Sequence, residues 1–219
     1  NDLGILQDTT LGKRCAALNL KLHDGRQIFN ALLSEADVLV HGYRPGALAG
    51  LGYDQQALDK INPSLIEVTL SAYGWQGPWA ARRGFDSLVQ LSSGIADICQ
   101  KADGTPGVLP VQALDHATGY IMAACVFQAL AQAKKGRVMS ARTSLARAAL
   151  MLCNQLGESQ INTLAEPAKD ADYVPEMEQS DWGTLQRLRP PVVISGASMH
   201  WTVKSGNLRS HRPQWHSTP

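Results

Sequence analysis

Two short apolar runs, residues 36–40 (ADVLV) and 64–70 (SLIEVTL), do most to limit what this chain can fold into. The first is apolar almost throughout, the pattern of a strand buried on both faces of a parallel sheet. Parallel neighbours cannot be joined by a tight hairpin and need a crossover, usually a helix. Residues 54–61 supply one, closed by Asn62-Pro63, because the residue before a proline is disfavoured in the α region. Strand, helix, strand at this spacing is a βαβ unit, so an α/β fold with a parallel sheet flanked by helices is expected.

The rest of the pattern extends this frame. Ile28, Phe29, Leu32 and Leu33 recur at three and four residues, marking an amphipathic helix over 27–33 with Asp24 as its N-cap. A helix is expected over 85–100, followed by a turn cluster at 102–107 (ADGTPG). Residues 114–133 form the longest apolar helix, with Ile121, Ala124, Cys125, Gln128 and Ala131 near one face. A strand over 137–143 and a helix over 145–156 follow. Over 157–180 periodicity fails and acids accumulate, which reads as a linker or loop. Residues 182–195 read as a hairpin or terminal strand pair, and the tail after Trp201 is polar and expected to be mobile.

Composition removes several classes of function. Among 219 residues, 20 Lys+Arg stand against 19 Asp+Glu, so nothing in the charge balance asks for a nucleic-acid or anionic-membrane partner. No run of 18 apolar residues is present, so no membrane span is expected. The chain opens without Met and without a basic region before an apolar core, which predicts no signal peptide and a start that was removed or never belonged to it. Cys15, Cys99, Cys125 and Cys153 lie too far apart for a zinc knuckle or a redox pair, and a reducing cytoplasm fits them. The six histidines lack metal-ligand spacing, so no metal is expected. The phosphate motifs G-x-x-x-x-G-K-[ST] and G-x-G-x-x-G are absent, and so is the serine-hydrolase G-x-S-x-G.

Four segments remain: 13–21 (KRCAALNLK), 36–46 (ADVLVHGYRPG), 71–86 (SAYGWQGPWAARRGFD) and 115–119 (DHATG). In this order they resemble the family III CoA-transferases, or CaiB/BaiF family, which includes formyl-CoA and carnitine CoA-transferases and the α-methylacyl-CoA racemases. The match is good over 11–152 and reappears weakly at 183–196. The resemblance implies a Rossmann-like large domain, here shortened, with the family's small domain absent. The organisation expected is an incomplete large domain at 1–156, a linker at 157–182, strands returning to the large domain at 183–203 and a polar tail at 204–219. It also implies acyl-CoA and a small carboxylic acid as substrates, no permanently bound cofactor, and a homodimer.

Asp115 is the expected nucleophile. A lone Asp before a helix is most often an N-cap. In the family, the Asp of D-x-x-[TS]-G attacks an acyl-CoA thioester to give a mixed anhydride, which CoA thiolate converts to an aspartyl-CoA thioester. A helix N-terminus favours the ionised carboxylate, the form that attacks. Thr118 and Gly119 would pack at the first turn, the glycine allowing close approach of a ligand. By the same resemblance Arg83 contacts a CoA phosphate and Lys21 lines the CoA channel. Adjacent arginines such as Arg82 and Arg83 are otherwise mostly solvated. Gly42, Tyr43 and Arg44 belong to the CoA-binding turn, where His-Gly-Tyr-Arg replaces the usual Glu-Asn-Phe-Arg. Phe85 stands where the racemases carry a proton-transferring His, and Phe cannot transfer protons, which favours transfer over racemisation. Asp86 is an active-site neighbour or a helix cap. A non-catalytic family half, or a dimerisation scaffold, is the alternative from another class.

Overall fold

The structure is a computed structural model that describes residues 3–155, 166–197 and 199–215. In chain order it comprises α1 (Leu3–Thr9), α2 (His23–Glu35), β1 (Val38–His41), α3 (Gln55–Ile61), β2 (Ile66–Ser71), α4 (Asp86–Ser92), α5 (Ile95–Ile98), α6 (Ala113–Ala133), β3 (Ala141–Ser144), α7 (Leu145–Gln155), β4 (Tyr173–Ser180) and β5 (Gly183–Leu188). The chain divides into two compact units, Asn30–Gln160 and Asn1–Phe29 with Ile161–Pro219.

The first unit is the expected α/β fold. Its sheet has the order β1-β2-β3, with both pairings parallel, Val38 opposite Ile66 and Val68 opposite Ala141. Ile66 and Val68 of the central strand are buried against Met122 and Ala129 of α6. Ile66 and Val68 each contribute roughly 1.5–3 kcal/mol when fully buried. Because α6 carries the chain from β2 to the parallel β3, its first turn lies at the carboxyl ends of the strands. Ligands of open α/β sheets bind at that end. Around this turn a second cluster joins Val89 of α4, Ile95 of α5, Leu114 of α6, and Leu145, Ala148 and Ala149 of α7.

Local rules explain the boundaries. Asp54 is the N-cap of α3, its carboxylate accepting the Ala57 N–H at 2.9 Å. Asn62, extended before Pro63, ends that helix, and its side-chain amide donates to the carbonyls of Leu33 and Ala36 at 3.0 and 2.9 Å. The helix expected over 85–100 is instead α4 and α5, broken at Gly94, whose φ of +89° is open to glycine at little cost. Asp24 lies inside the first turn of α2 rather than capping it, since the helix begins earlier, at His23. The face expected for the long helix is also corrected. Leu114, Thr118, Met122 and Ala129 are buried, whereas Ala124, Gln128 and Ala131 are exposed. That helix is apolar on nearly every side, so its period could not select a face.

The second unit departs further from expectation. The end of the segment expected as linker is strand: β4 pairs antiparallel with β5, Ser180 opposite Gly183. Residues 156–165 lie outside the described residues. The register is irregular between Tyr173 and Met177, where Pro175 has no N–H to give the ladder. Among the described residues β5 pairs with β4 alone. The hairpin is tied by Arg187. Its guanidinium donates to both oxygens of Glu178, to the Gln7 carbonyl and to Ser205 Oγ at 2.9 Å, and it pairs with Asp8 at 3.3 Å. The hydrogen bond from Arg187 holds the Glu178 carboxyl below its ordinary value. The tail is tethered as well, because Ser205 is buried, the Gly12 N–H donates to the Val203 carbonyl, and the Gly206 N–H donates to Thr10 Oγ1.

Candidate active site

The site begins with the loop after β2. Gly84 lets this loop close onto the strand end, because a Cβ there would lie 2.8 Å from the Ala72 Cβ. The loop then delivers Phe85 and Asp86 to the start of α4. Phe85 is 82% exposed at the N-cap position, an apolar ring facing solvent. Asp86 is turned inward and only 2% exposed.

Asp86 does not cap its own helix. Its Oδ2 accepts the N–H groups of Leu114 and Asp115, at 2.8 and 2.9 Å, across to the first turn of α6. Its Oδ1 accepts from the side-chain amide of Gln90, one turn along α4. Gln90, equally buried, accepts the Leu109 N–H at 2.8 Å. The remaining early donors of α6 are met by backbone, Ala113 to Val111 and His116 to Gln112. Gln112, the N-cap residue, supplies no side-chain cap.

Asp115 therefore has no capping duty. It is the third residue of α6, its residue surface is exposed, and among the described residues no hydrogen bond or ion pair engages its carboxyl. Partial loss of hydration pushes that carboxyl above its ordinary value. The nearby Asp86 charge adds to the rise, and His116 acts in the opposite sense. A raised carboxylate is more basic, hence a stronger nucleophile once ionised. One turn on, Thr118 is fully buried and its Oγ1 has no partner among the described residues. Gly119 faces open space, with nothing within 4 Å of a built Cβ.

A cavity of about 230 Å³ opens at the same end of the sheet, with His41, Tyr43, Arg44, Thr69, Trp75 and Arg142 in its lining. The His41 ring stacks on Tyr43 at 5.9 Å and lies 3.1 Å, Nε2 to Oε1, from Glu67. The Arg142 guanidinium lies 5.7 Å from the Trp75 ring centre. Thr69 Oγ1 and His41 Nδ1 are buried without a partner among the described residues. Two expected CoA contacts, Tyr43 and Arg44, thus share one cavity. Gly42 follows β1 with ordinary clearance, 3.7 Å from a built Cβ to Leu70. Arg83 is exposed, with no hydrogen bond or ion pair among the described residues. Its neighbour Arg82 stacks on Trp79 at 4.3 Å. Lys21 belongs to the other unit and is exposed.

Sequence reasoning missed Gln90, although its spacing of four from Asp86 on one helix was a usable signal. It also missed His41, Thr69 and Arg142 as cavity residues, which only the strand register brings together: His41 lies opposite Thr69, and Thr69 opposite Arg142. Among the described residues no group of three or more His, Cys, Asp or Glu could hold a metal ion, and no helix is long and apolar enough to cross a membrane.

An α/β sheet with an unengaged aspartate at a helix start is the kind of site that covalent group transfer uses. The chain belongs to CoA-transferase family III, whose family model it matches over residues 3–181. It is 30% identical over 151 residues to an acyl-CoA transferase of Fusarium pseudograminearum, covering 68% of this chain and 33% of that protein. It is 31% identical over 173 residues to the succinyl-CoA:glutarate CoA-transferase of Mus musculus, covering 78% and 37%. Among solved structures, Rv3272 from M. tuberculosis matches with a TM-score of 0.63 at 31% identity, over 66% of this chain and 41% of that one. A CAIB/BAIF family protein from Brucella suis matches with a TM-score of 0.63 at 25% identity, over 83% and 50%. The chain spans about a third of the length of the curated relatives it matches.

Proposed function

We propose that this chain carries the nucleophile of a CoA-transferase, moving CoA from an acyl-CoA thioester to a small carboxylic acid through Asp115. The observation that supports it most is the division of labour at α6. Asp86 takes the helix amides, and the Asp115 carboxyl is left exposed and unbonded among the described residues. In this reading the Asp115 carboxylate attacks the thioester carbonyl, the C–S bond breaks, and CoA leaves as thiolate. The thiolate then attacks the Asp115 carbonyl of the mixed anhydride and releases the donor acid as carboxylate. The acceptor carboxylate attacks the resulting aspartyl-CoA thioester and expels thiolate. Attack of that thiolate on the acceptor acyl carbon gives the new acyl-CoA and frees Asp115. Charge and atoms balance, and no other cofactor is required.

Tyr43, Arg44, Arg83, Lys21 and the backbone at Gly42 are the CoA contacts in this reading, with Tyr43 and Arg44 supported by their shared cavity. Phe85 and Asp86 flank the acyl site, and Phe85 leaves racemisation without its proton carrier. A homodimer in a reducing cytoplasm completes the reading, and the four free cysteines fit that setting. A non-catalytic scaffold is the second reading, favoured by Gly42, which offers no side chain in the turn beside Tyr43 and Arg44.

The test is to incubate the chain with acetyl-CoA, succinyl-CoA or formyl-CoA, add hydroxylamine, and map mass changes by peptide. Hydroxylamine converts an aspartyl anhydride or thioester to a hydroxamate. Label on Asp115, lost in Asp115→Asn, is the expected result. Label elsewhere, or label retained in that variant, overturns the assignment. No label together with no CoA binding selects the scaffold.

A further inference from the structure

The first amides of any helix lack intrahelical acceptors. A carboxylate at the third helical position ordinarily reaches back to satisfy them. Asp115 occupies that position in α6, yet its carboxyl makes no such bond among the described residues. Asp86 makes the bonds instead, reaching across from α4. Burying an ionised carboxylate is costly unless its oxygens are well bonded. Asp86 has no cation partner among the described residues, and its two oxygens are met by two amides and the Gln90 side chain. Gln90 in turn holds the loop that enters α6, through the Leu109 N–H and, at 3.4 Å, the Val111 carbonyl. A fully bonded buried network of this kind makes its surroundings rigid.

We propose that Asp86 and Gln90 are a positioning pair that clamps the entry loop and first turn of α6, and so holds the Asp115 carboxyl in place, released from capping its own helix. This rests on Asp115 as the nucleophile. The pair touches no reacting atom in this scheme. Its work is done through the α6 backbone.

The test compares the wild type, Asp86→Asn, and the double variant Asp86→Asn with Gln90→Glu. In the single variant the new amide meets the Gln90 amide donor to donor. In the double variant the new carboxylate accepts from it and from the Leu109 N–H, with the charge moved one turn along α4, while the long contact to the Val111 carbonyl is lost. Two readouts are used: acetyl-CoA and hydroxylamine labelling of Asp115, and NMR without acyl-CoA, which follows the Asp115 titration and the hydrogen exchange of the Leu114 and Asp115 amides. The ionisable groups acting on Asp115 are Asp86, from α4, and His116, on α6 itself. The single variant is expected to lose about tenfold to a hundredfold in labelling rate, the scale on which misplacing a reactive group acts. The double variant is expected to recover most of that rate, with its Asp115 titration midpoint still below the wild type.

A structural cap alone would lower the melting temperature in Asp86→Asn and leave the labelling rate of the folded fraction unmoved, which overturns the proposal. A wild type that never takes label removes the nucleophile reading; the clamp then stands if the Leu114 and Asp115 amides exchange faster in Asp86→Asn and are protected again in the double variant, and falls if they do not. A labelled wild type whose Asp86→Asn variant keeps its labelling rate, whatever the midpoint, removes the clamp and leaves the nucleophile.

Discussion

Two helices of the α/β unit start beside an aspartate and use it in opposite ways. At α3, Asp54 accepts the Ala57 N–H of its own helix and is spent as a cap. At α6, Asp115 accepts nothing among the described residues, because Asp86 has come from another helix to do that work. The difference teaches what to look for in a carboxylate that acts. Local geometry alone makes a helix-start aspartate a cap, and freeing one takes a second acid from a distant part of the chain. Glu178 in the second unit is a third case. There Arg187 holds the carboxyl below its ordinary value, whereas Asp115, partly dehydrated and beside another acid, stands above.

The sharpest way to break this contrast is Asp115→Asn. Loss of acyl transfer and of hydroxamate label on the order of 10⁴-fold or more is expected, as when a covalent nucleophile is removed. A peptide-mapped assay with acetyl-CoA reads it, and no such loss should follow if Asp115 is only a cap.

Next in size is Arg187→Ala, which leaves Glu178 largely buried without its cation. A cost of about 3 kcal/mol is expected by denaturant unfolding. The pH dependence carries a further sign. A depressed carboxyl stabilises the fold above its ordinary unfolded value, and that stability is lost as pH falls through the depressed one. Arg187→Ala should therefore flatten the acid limb of the stability profile.

Smaller still, Asp54→Ala should cost about 1 kcal/mol, the usual worth of an N-cap. The Asp115 titration should stay where it is, which NMR checks. Smallest is the effect of Asp115→Asn on stability itself. A raised carboxyl contributes stability below its unfolded value, lost as pH rises through the raised one. The variant escapes that loss, so it should melt slightly above the wild type at neutral pH, and the gap should close in acid. Differential scanning calorimetry across pH reads the sign.

Much of the fold was legible because short-range pattern carries it. The βαβ unit, the proline stop after α3 and the long helix all follow from composition and spacing within a few residues. The buried face of α6 was not legible, since Tyr120 and Phe127 are as apolar as the buried positions and yet exposed. The strand β4 was hidden by Pro175, Glu176 and Glu178, which break an alternating pattern. Its partner β5 and the bidentate bond from Arg187 to Glu178 hold it as a strand. The resemblance singled out Asp115. Its bare chemistry pointed only to a cap, and Asp86 stood undecided between cap and neighbour.

Local pattern in the chain was enough for the parallel α/β class, the crossover order and the positions of β1 and β2, because periodicity and proline geometry act between near neighbours. Asp115 as the expected nucleophile came from the family resemblance, not from local pattern. Which acid caps α6 and which stays free was settled between residues 28 and 29 apart, where Asp86 meets the amides of Leu114 and Asp115. The same holds for the cavity of Tyr43, Thr69 and Arg142, assembled by register across three strands. Hydrogen bonding between distant segments depends on packing, and packing is a property of the folded chain rather than of any stretch within it.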